Sequence, residues 1–368
     1  MDQATVDVYE EGAARYAELR RAYGSERAEE FGRLLPVGGR RLDLGCGPGH
    51  YLPHLGAPVV AADAAVAMLE EVRRRPDLTA RTPGVVCDLE ALPFRRGAFA
   101  GVWASKSLQH VPAPQMPMAL AGLYHIIPVG GLVDITLFAG DGANVTTSDD
   151  DDEFPGRLFT WWQPESLAHL LVGAGFDIEE FPTVAGDGST DHPRLTVRAR
   201  RARSLADTVG PGMRILMCGL NPSIYAADAG VGFARPGNRF WPAARAAGVV
   251  SVDRDPVGAL RQDGVGMTDL VKRATVAASE LTTEEYRAGL RRIEHLVDWL
   301  QPGVVCFVGL AGWRAAFDRR AQPGVQPNTL ANVPVYVMPS TSGLNAGSSL
   351  ADLTIHLRQA ATLADHHT

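Results

Sequence analysis

Asn221 follows an apolar run, Ile215 to Cys218, in the turn Gly219-Leu220-Asn221-Pro222-Ser223. Twelve residues after it comes Phe233, then Pro236-Gly237-Asn238-Arg239-Phe240-Trp241. A buried strand that ends in a Gly/Asn/Pro turn delivers one polar side chain to the carboxyl edge of an α/β sheet. Asn offers an acceptor and donors but no base of useful strength. It can orient a water or read an amide edge; it cannot serve as a nucleophile. With an aromatic nearby, it suits a pocket that stacks a flat heterocycle and aims water beside it. Taken alone, the same Asn could do no more than shape a turn.

A second segment fits the same task. Residues 334–346, PVYVMPSTSGLNA, again run from an apolar strand into a small-residue loop, with Leu344 at its tip. An exposed Leu there could be a wedge that fills the hole left by an extruded base. Folded back into the core, it would be an ordinary Leu. The two segments together resemble the mismatch-specific uracil/thymine DNA glycosylases of the uracil-DNA glycosylase superfamily. The resemblance runs from about Leu205 to the C-terminus through Gly266-Met267-Thr268-Asp269-Leu270-Val271-Lys272-Arg273 and Val304-Val305-Cys306-Phe307-Val308-Gly309.

The resemblance implies a mechanism. A deoxyuridine or mispaired thymidine is flipped out of double-stranded DNA carrying a G·U or G·T mismatch. Phe233 stacks on its ring, and backbone amides near Phe233 and Ser223 read the pyrimidine carbonyls. Asn221 holds a water against C1′, and Thr268 helps to orient it. Main-chain dipoles stabilise the departing base anion. Ala226, five residues after Asn221, falls where uracil-preferring relatives have Ser and the thymine-active branch has Ala. It leaves room for the thymine methyl, so weak thymine removal is expected. Ser342, Gly343, Leu344 and Asn345 form the wedge loop. A β-lyase step needs an amine nucleophile in the pocket. Lys272 is the one lysine after residue 204, so base release without strand cleavage is expected. Ser223 stands where many relatives have Gly, and Ala346 where some bacterial relatives have Arg.

The first half carries different chemistry. After a helical stretch, Val8 to Leu35, comes Asp43-Leu44-Gly45-Cys46-Gly47-Pro48-Gly49-His50. A strand that enters a Gly-rich turn before a helix lets backbone N–H groups approach a ligand closely. His50 occupies the last glycine position of a dinucleotide fingerprint. The run instead resembles motif I of class I S-adenosylmethionine-dependent methyltransferases. Further strands are expected at Pro58–Ala62, ending at Asp63; at Val85–Cys87, ending at Asp88-Leu89; at Gly101–Ala104; and from Leu132. An acid at Asp63 can accept from both ribose hydroxyls. The resemblance places Asp43, Gly45, Gly47, Gly49, Asp63, Asp88 and Leu89 at the cofactor, S-adenosyl-L-methionine. The methyl acceptor is unidentified. Ala104-Ser105-Lys106-Ser107 replaces the [DNS]-P-P-[YF] of amino-directed DNA methyltransferases, and no Pro-Cys nucleophile occurs. His110 could be a general base, though a structural role is favoured. Trp161 and Trp162 read as packing of the cap on the sheet.

These sites call for two α/β domains: residues 1–203, a Rossmann-like methyltransferase sheet, and residues 204–368, a three-layer glycosylase domain with a short central parallel sheet. Thr196-Val197-Arg198-Ala199-Arg200 reads as an edge strand with charged decoration, and Arg198–Arg203 as the linker. The length, 368 residues, fits roughly two domains. The composition, 46% hydrophobic and 21% charged, is that of a globular protein. No apolar run approaches the roughly 20 residues of a membrane span. The acidic start MDQATVDVYEEG lacks the apolar stretch of a signal peptide. The four cysteines, Cys46, Cys87, Cys218 and Cys306, form no CxxC pair, so neither zinc nor an iron–sulfur cluster is expected. A cytoplasmic monomer with free thiols is expected.

Residues 205–368 carry 15 basic and 14 acidic side chains, and the first 204 carry 20 and 28. The acidic half is a poor partner for a phosphate backbone. Arg235, Arg239, Lys272 and Arg273 are candidate phosphate contacts in the other. Asp149-Asp150-Asp151-Asp152-Glu153 reads as a solvated loop, since hard-cation loops interleave spacers and Gly. A competing reading is a methyltransferase for RNA or a small molecule whose second half merely binds nucleic acid. Asn221, Phe233 and Leu344 together favour the glycosylase, because a binder needs no water-positioning Asn. A nucleobase deaminase would need HxE and PCxxC zinc ligands, which are lacking.

Overall fold

The computed structural model describes every residue except 23, 79–81, 141–143, 148–151, 182, 185–192 and 367–368. Asp149, Asp150 and Asp151 of the acidic run therefore lie outside the described residues. The chain folds into two units, residues 1–171 with 176–201, and residues 172–175 with 202–368.

The expected single helical stretch is two helices, Gln3–Leu19 and Ser25–Leu34. The first ends at Arg20, whose backbone is extended, and the second starts after Gly24, whose φ of 68° is left-handed. The strands that follow are β1 (Arg41–Leu44), β2 (Val59–Asp63), β3 (Gly84–Val86), β4 (Gly101–Ser105), β5 (Leu132–Phe138), β6 (Asn144–Thr146), β7 (Leu158–Thr160), β8 (Phe176–Glu180), β9 (Thr183–Val184) and β10 (Arg194–Arg201). The large sheet runs β3-β2-β1-β4-β5-β10-β8, with β9 also on β10, while β6 and β7 pair apart. The neighbouring strands from β3 to β5 run parallel, and β10 is antiparallel to both its flanking strands. The order reverses between β1 and β4. Ligands of open α/β sheets bind at that switch, beyond the carboxyl ends of the strands.

The expected edge strand proves to be interior. β10 continues to Arg201 between β5 and β8, so Arg198–Arg201 belong to the sheet and not to a linker. Arg198 is 2% exposed. Its Nε donates to Asp134 at 3.0 Å, and its guanidinium reaches Glu30 and Glu180 at 3.0 Å each. Arg201, also buried, donates to the Ile127 carbonyl and lies 4.1 Å from the centroid of Tyr124. These arginines anchor the sheet; they do not decorate an edge. Removing one partner of a buried pair leaves the other charge uncompensated. Arg198→Ala is therefore expected to destabilise the first unit by about 3 kcal/mol in urea melts, at the low end because Arg27 stays on Asp134.

The second unit is built on β11 (Ile215–Gly219), β12 (Val265–Asp269), β13 (Val304–Val308), β14 (Gly324–Val325) and β15 (Val335–Met338). Their order is β12-β11-β13-β15-β14, with only β14 antiparallel. Parallel strands covered on both faces read as continuous apolar runs, and β11, β13 and β15 are buried throughout. One face, with Ile215, Met217, Val265, Met267 and Cys306, packs on the helices Phe240–Ala247 and Leu350–Asp365. The alternate residue Phe307 points the other way and meets Trp313 of the helix Leu310–Ala316, ring centroids 4.9 Å apart. The result is three layers. The longest helix here, Thr283–Leu300, opens on a reciprocal cap between Thr282 and Glu285. All four cysteines are buried and free. Among the described residues no helix is long and apolar enough to cross a membrane, and no His/Cys/Asp/Glu cluster could hold a metal.

Candidate functional site

Asn221 sits just beyond β11, in a turn clamped by the chain that follows β12. The Gly219 and Leu220 carbonyls accept from the Leu270 and Val271 amides, at 2.8 and 2.9 Å. Thr275 donates to the Pro222 carbonyl and accepts from Ile224 through its main chain. The Asn221 amide nitrogen donates to the Thr275 hydroxyl at 2.8 Å, the Arg273 carbonyl at 3.0 Å and the Pro222 carbonyl at 3.2 Å. Two carbonyls can only accept, so the NH2 group must face them. Oδ1 is then the atom left for a ligand, and it is an acceptor. Ser223 caps the helix Ile224–Ala229, its hydroxyl accepting from the Ala226 amide at 3.1 Å. Ala226 is buried in that first turn. A neighbouring groove is lined by Ser223, Ile224, Tyr225, Arg235, Pro236, Thr275 and Val276.

Phe233 is half-buried at a φ of 58° and stacks on Phe240, centroids 4.1 Å apart and planes 20° off parallel. Trp241 fixes the approach through its indole N–H, which donates to the Gly232 carbonyl at 2.9 Å. The wedge loop is stapled to the same segment. Arg239 donates to the carbonyls of Ser342 (3.0 Å), Asn345 (2.7 Å) and Ser348. Asn345 bridges Ser340 and Gly347, and Ser342 accepts from the Leu344 amide. A Cβ on Gly343 would lie 2.9 Å from the Gly237 carbonyl oxygen, so only glycine allows this approach. Leu344 is left 86% exposed at the tip.

Thr268 is not part of this arrangement. Alternation along β12 turns it away from the face of Met267 and Phe240. It is buried, donates to Asp207 at 2.7 Å and accepts from Arg292 at 3.0 Å. The threonine on Asn221 is Thr275, which the sequence reading missed. Lys272 donates to Asp207 at 2.6 Å, and so does Arg292. Burial pushes the Asp207 carboxyl up, but Arg292 and Lys272 outweigh it and hold it below the usual carboxylate range. Of the four expected phosphate contacts, three are thus committed elsewhere: Lys272 to Asp207, Arg239 to the loop carbonyls, and Arg273 to Glu285 at 2.7 Å. Arg235 is exposed and lines the groove.

In the first unit a cavity opens at the β1/β4 switch. Its wall includes Gly45, Gly47, Asp63, Leu89, Ser107 and His110. Gly45 has a φ of 66°, and a Cβ there would collide with Ser107. Asp63 accepts from the amides of Gly47 at 2.8 Å and Ala65 at 3.0 Å. Asp43, Gly49 and Asp88 stand off the wall. Asp43 is buried with Oδ2 unpartnered, and burial plus the nearby Asp63 push its carboxyl up to about 8. Asp88 accepts from the Glu90 amide and the Met1 ammonium. His110 is a structural residue: Nδ1 meets the Leu158 carbonyl at 2.6 Å, and Nε2 meets the Tyr9 hydroxyl at 2.8 Å. The carbonyl requires the proton on Nδ1, so Nε2 accepts from Tyr9. Burial lowers the ring to about 4 and keeps it neutral.

Residues 206–360 match the model of the uracil DNA glycosylase superfamily, and residues 42–131 that of a methyltransferase domain. Solved structures similar to this chain include a SAM-dependent methyltransferase from Methanosarcina mazei, 16% identical over 50% of this chain and 99% of that one, with a TM-score of 0.42. Another is the Burkholderia thailandensis 1,6-didemethyltoxoflavin-N1-methyltransferase with bound 1,6-didemethyltoxoflavin and S-adenosylhomocysteine, 20% identical over 54% and 88%, with a TM-score of 0.43. The chain thus joins a methyltransferase domain to a domain of the uracil DNA glycosylase superfamily.

Proposed function

We propose that the second unit removes uracil, and more slowly thymine, from G·U and G·T mismatches in double-stranded DNA. The observation that carries this is the locked Asn221 amide. Its donors are spent on Thr275, Arg273 and Pro222, which leaves Oδ1 to accept from a water. A flipped base stacks on Phe233, Leu344 fills the space it vacates, and the water held by Asn221 and Thr275 attacks C1′. Lys272, the one lysine after residue 204, is 9% exposed and bonded to Asp207, so it is not the amine of a Schiff base. The product is an abasic site on an intact strand. Labelled G·U, G·T and A·U duplexes, incubated with the protein and then cleaved at abasic sites with alkali, test the reading. Absence of cleavage on every duplex would refute it.

Thymine differs from uracil by one methyl, worth roughly 1–3 kcal/mol of discrimination in a pocket. Ala226→Ser is expected to slow thymine removal much more than uracil removal in parallel single-turnover assays. An equal effect on both would show that Ala226 does not read C5.

The first unit transfers a methyl group to an acceptor still to be identified. S-adenosylmethionine supplies that methyl in electrophilic form. The residues present fit this cofactor: the turn from Gly45 to Gly47 exposes main chain to the cavity, and Asp63 offers a carboxylate for the ribose hydroxyls. Both ring nitrogens of His110 are engaged, so His110 does not take the acceptor's proton.

A further inference from the structure

Thr208 pairs with Met267 through two main-chain hydrogen bonds, its N–H donating at 2.9 Å and its carbonyl accepting at 2.8 Å. The bridge is antiparallel and runs along β12 at the end of the sheet order. Antiparallel register therefore sets Asp207 beside Thr268. There the Asp207 carboxylate meets three donors. Oδ1 accepts from the Thr268 hydroxyl at 2.7 Å and the Lys272 ammonium at 2.6 Å, and Oδ2 accepts from Arg292 at 2.6 Å. Thr268 also accepts from Arg292 at 3.0 Å, which closes a triangle of Asp207, Thr268 and Arg292. All three are buried. A carboxylate can accept from several donors at once, and charge makes each of those bonds stronger than a neutral one.

The bonds of this cluster converge on one segment, residues 269–275. Lys272 belongs to it. Arg292 donates to its Asp269 carbonyl at 2.7 Å, and the Ser204 hydroxyl donates to its Lys272 carbonyl at 2.5 Å. The same segment carries the groups that hold Asn221. Its Leu270 and Val271 amides bind the carbonyls of the Asn221 turn, and its Arg273 carbonyl and Thr275 hydroxyl take the Asn221 amide donors.

We infer that Asp207 is a positioning residue for Asn221: through Thr268, Lys272 and Arg292 it fixes segment 269–275, and the segment in turn fixes the direction of Asn221 Oδ1. The inference rests on the glycosylase reading, in which that oxygen holds the attacking water. A displacement of about 1 Å, caused far from the reacting atoms, can slow a reaction about 100-fold. The short chain from Ser204 to Asp207 is thus part of the glycosylase machinery, although it precedes the first strand of its sheet. Thr268 takes part at one remove, through the carboxylate and not through the water.

The test compares the full chain with Asp207→Asn, Thr268→Val and Thr268→Ser. Asp207→Asn leaves buried cations uncompensated and can fail by unfolding. Thr268→Val keeps every charge and the shape of the side chain, and Thr268→Ser restores the hydroxyl. Single-turnover removal of uracil from a G·U duplex is expected to be about tenfold slower in Thr268→Val and about 100-fold slower in Asp207→Asn, with duplex affinity unchanged. Thr268→Ser should keep the wild-type rate. Amide hydrogen exchange gives a readout independent of turnover. In Thr268→Val it should quicken in peptides covering residues 269–275 and stay as in wild type in the helix Leu350–Asp365. Exchange that quickens equally in both places would mark a general loss of stability and overturn the proposal. So would a loosened segment with the wild-type rate, or a Thr268→Ser as slow as Thr268→Val. Each of these leaves the glycosylase reading standing. A wild type that removes uracil from no duplex ends that reading, and the proposal with it.

Discussion

Asn221→Ala is expected to slow single-turnover removal of uracil from a G·U duplex by at least about 100-fold while leaving duplex affinity near wild type. In the proposed reaction the side chain acts on water, and duplex binding is assigned to other groups, Leu344 and Arg235 among them. The substitution also removes three hydrogen bonds, to Thr275, Arg273 and Pro222. Each contributes about 1 kcal/mol, so the melting temperature must be measured beside the rate. A folded variant that cleaves at the wild-type rate would sink the assignment of Asn221. Aspartate is a poor substitute here: it would set an acceptor against the two carbonyls that now accept from the amide.

The second large effect is expected in the first unit. Asp63→Ala should weaken S-adenosylmethionine binding by about 10- to 100-fold in calorimetry, the equivalent of losing one or two hydrogen bonds to a charged group. Its carboxylate also accepts from Gly47 and Ala65, so the glycine turn loosens with it. Burial raises the Asp63 carboxyl above its ordinary value. The ionised form is the better acceptor. Affinity should therefore be full above that raised value and fall as the pH drops through it. Unchanged affinity in Asp63→Ala would remove Asp63 from the cofactor site.

The sequence made the strand ends legible because buried parallel strands are continuous apolar runs that stop at polar turns. Asn221, Gly45, Gly47 and Asp63 all lie at such ends, and Leu344 at a small-residue tip. What lay hidden depends on partners far along the chain. Thr268 and Thr275 look alike in the sequence; only the face presented by β12 and the fold-back over the Asn221 turn separate them. Arg198 alternates as an edge residue would, and nothing local announces Asp134 on one side and Glu180 on the other. Arg239, Lys272 and Arg273 were expected to serve as phosphate ligands because charge alone does not reveal an internal partner.

Phe233 holds a left-handed backbone conformation that non-glycine residues rarely adopt, fixed by its stack on Phe240 and by the Trp241 bond to Gly232. The strain is carried before any base arrives. An aromatic platform that is already immobile loses little rotamer entropy on binding. In the proposed reaction, stacking energy is then free to oppose the cost of drawing a nucleotide out of the helix, and the pocket would receive a base without having to close around it.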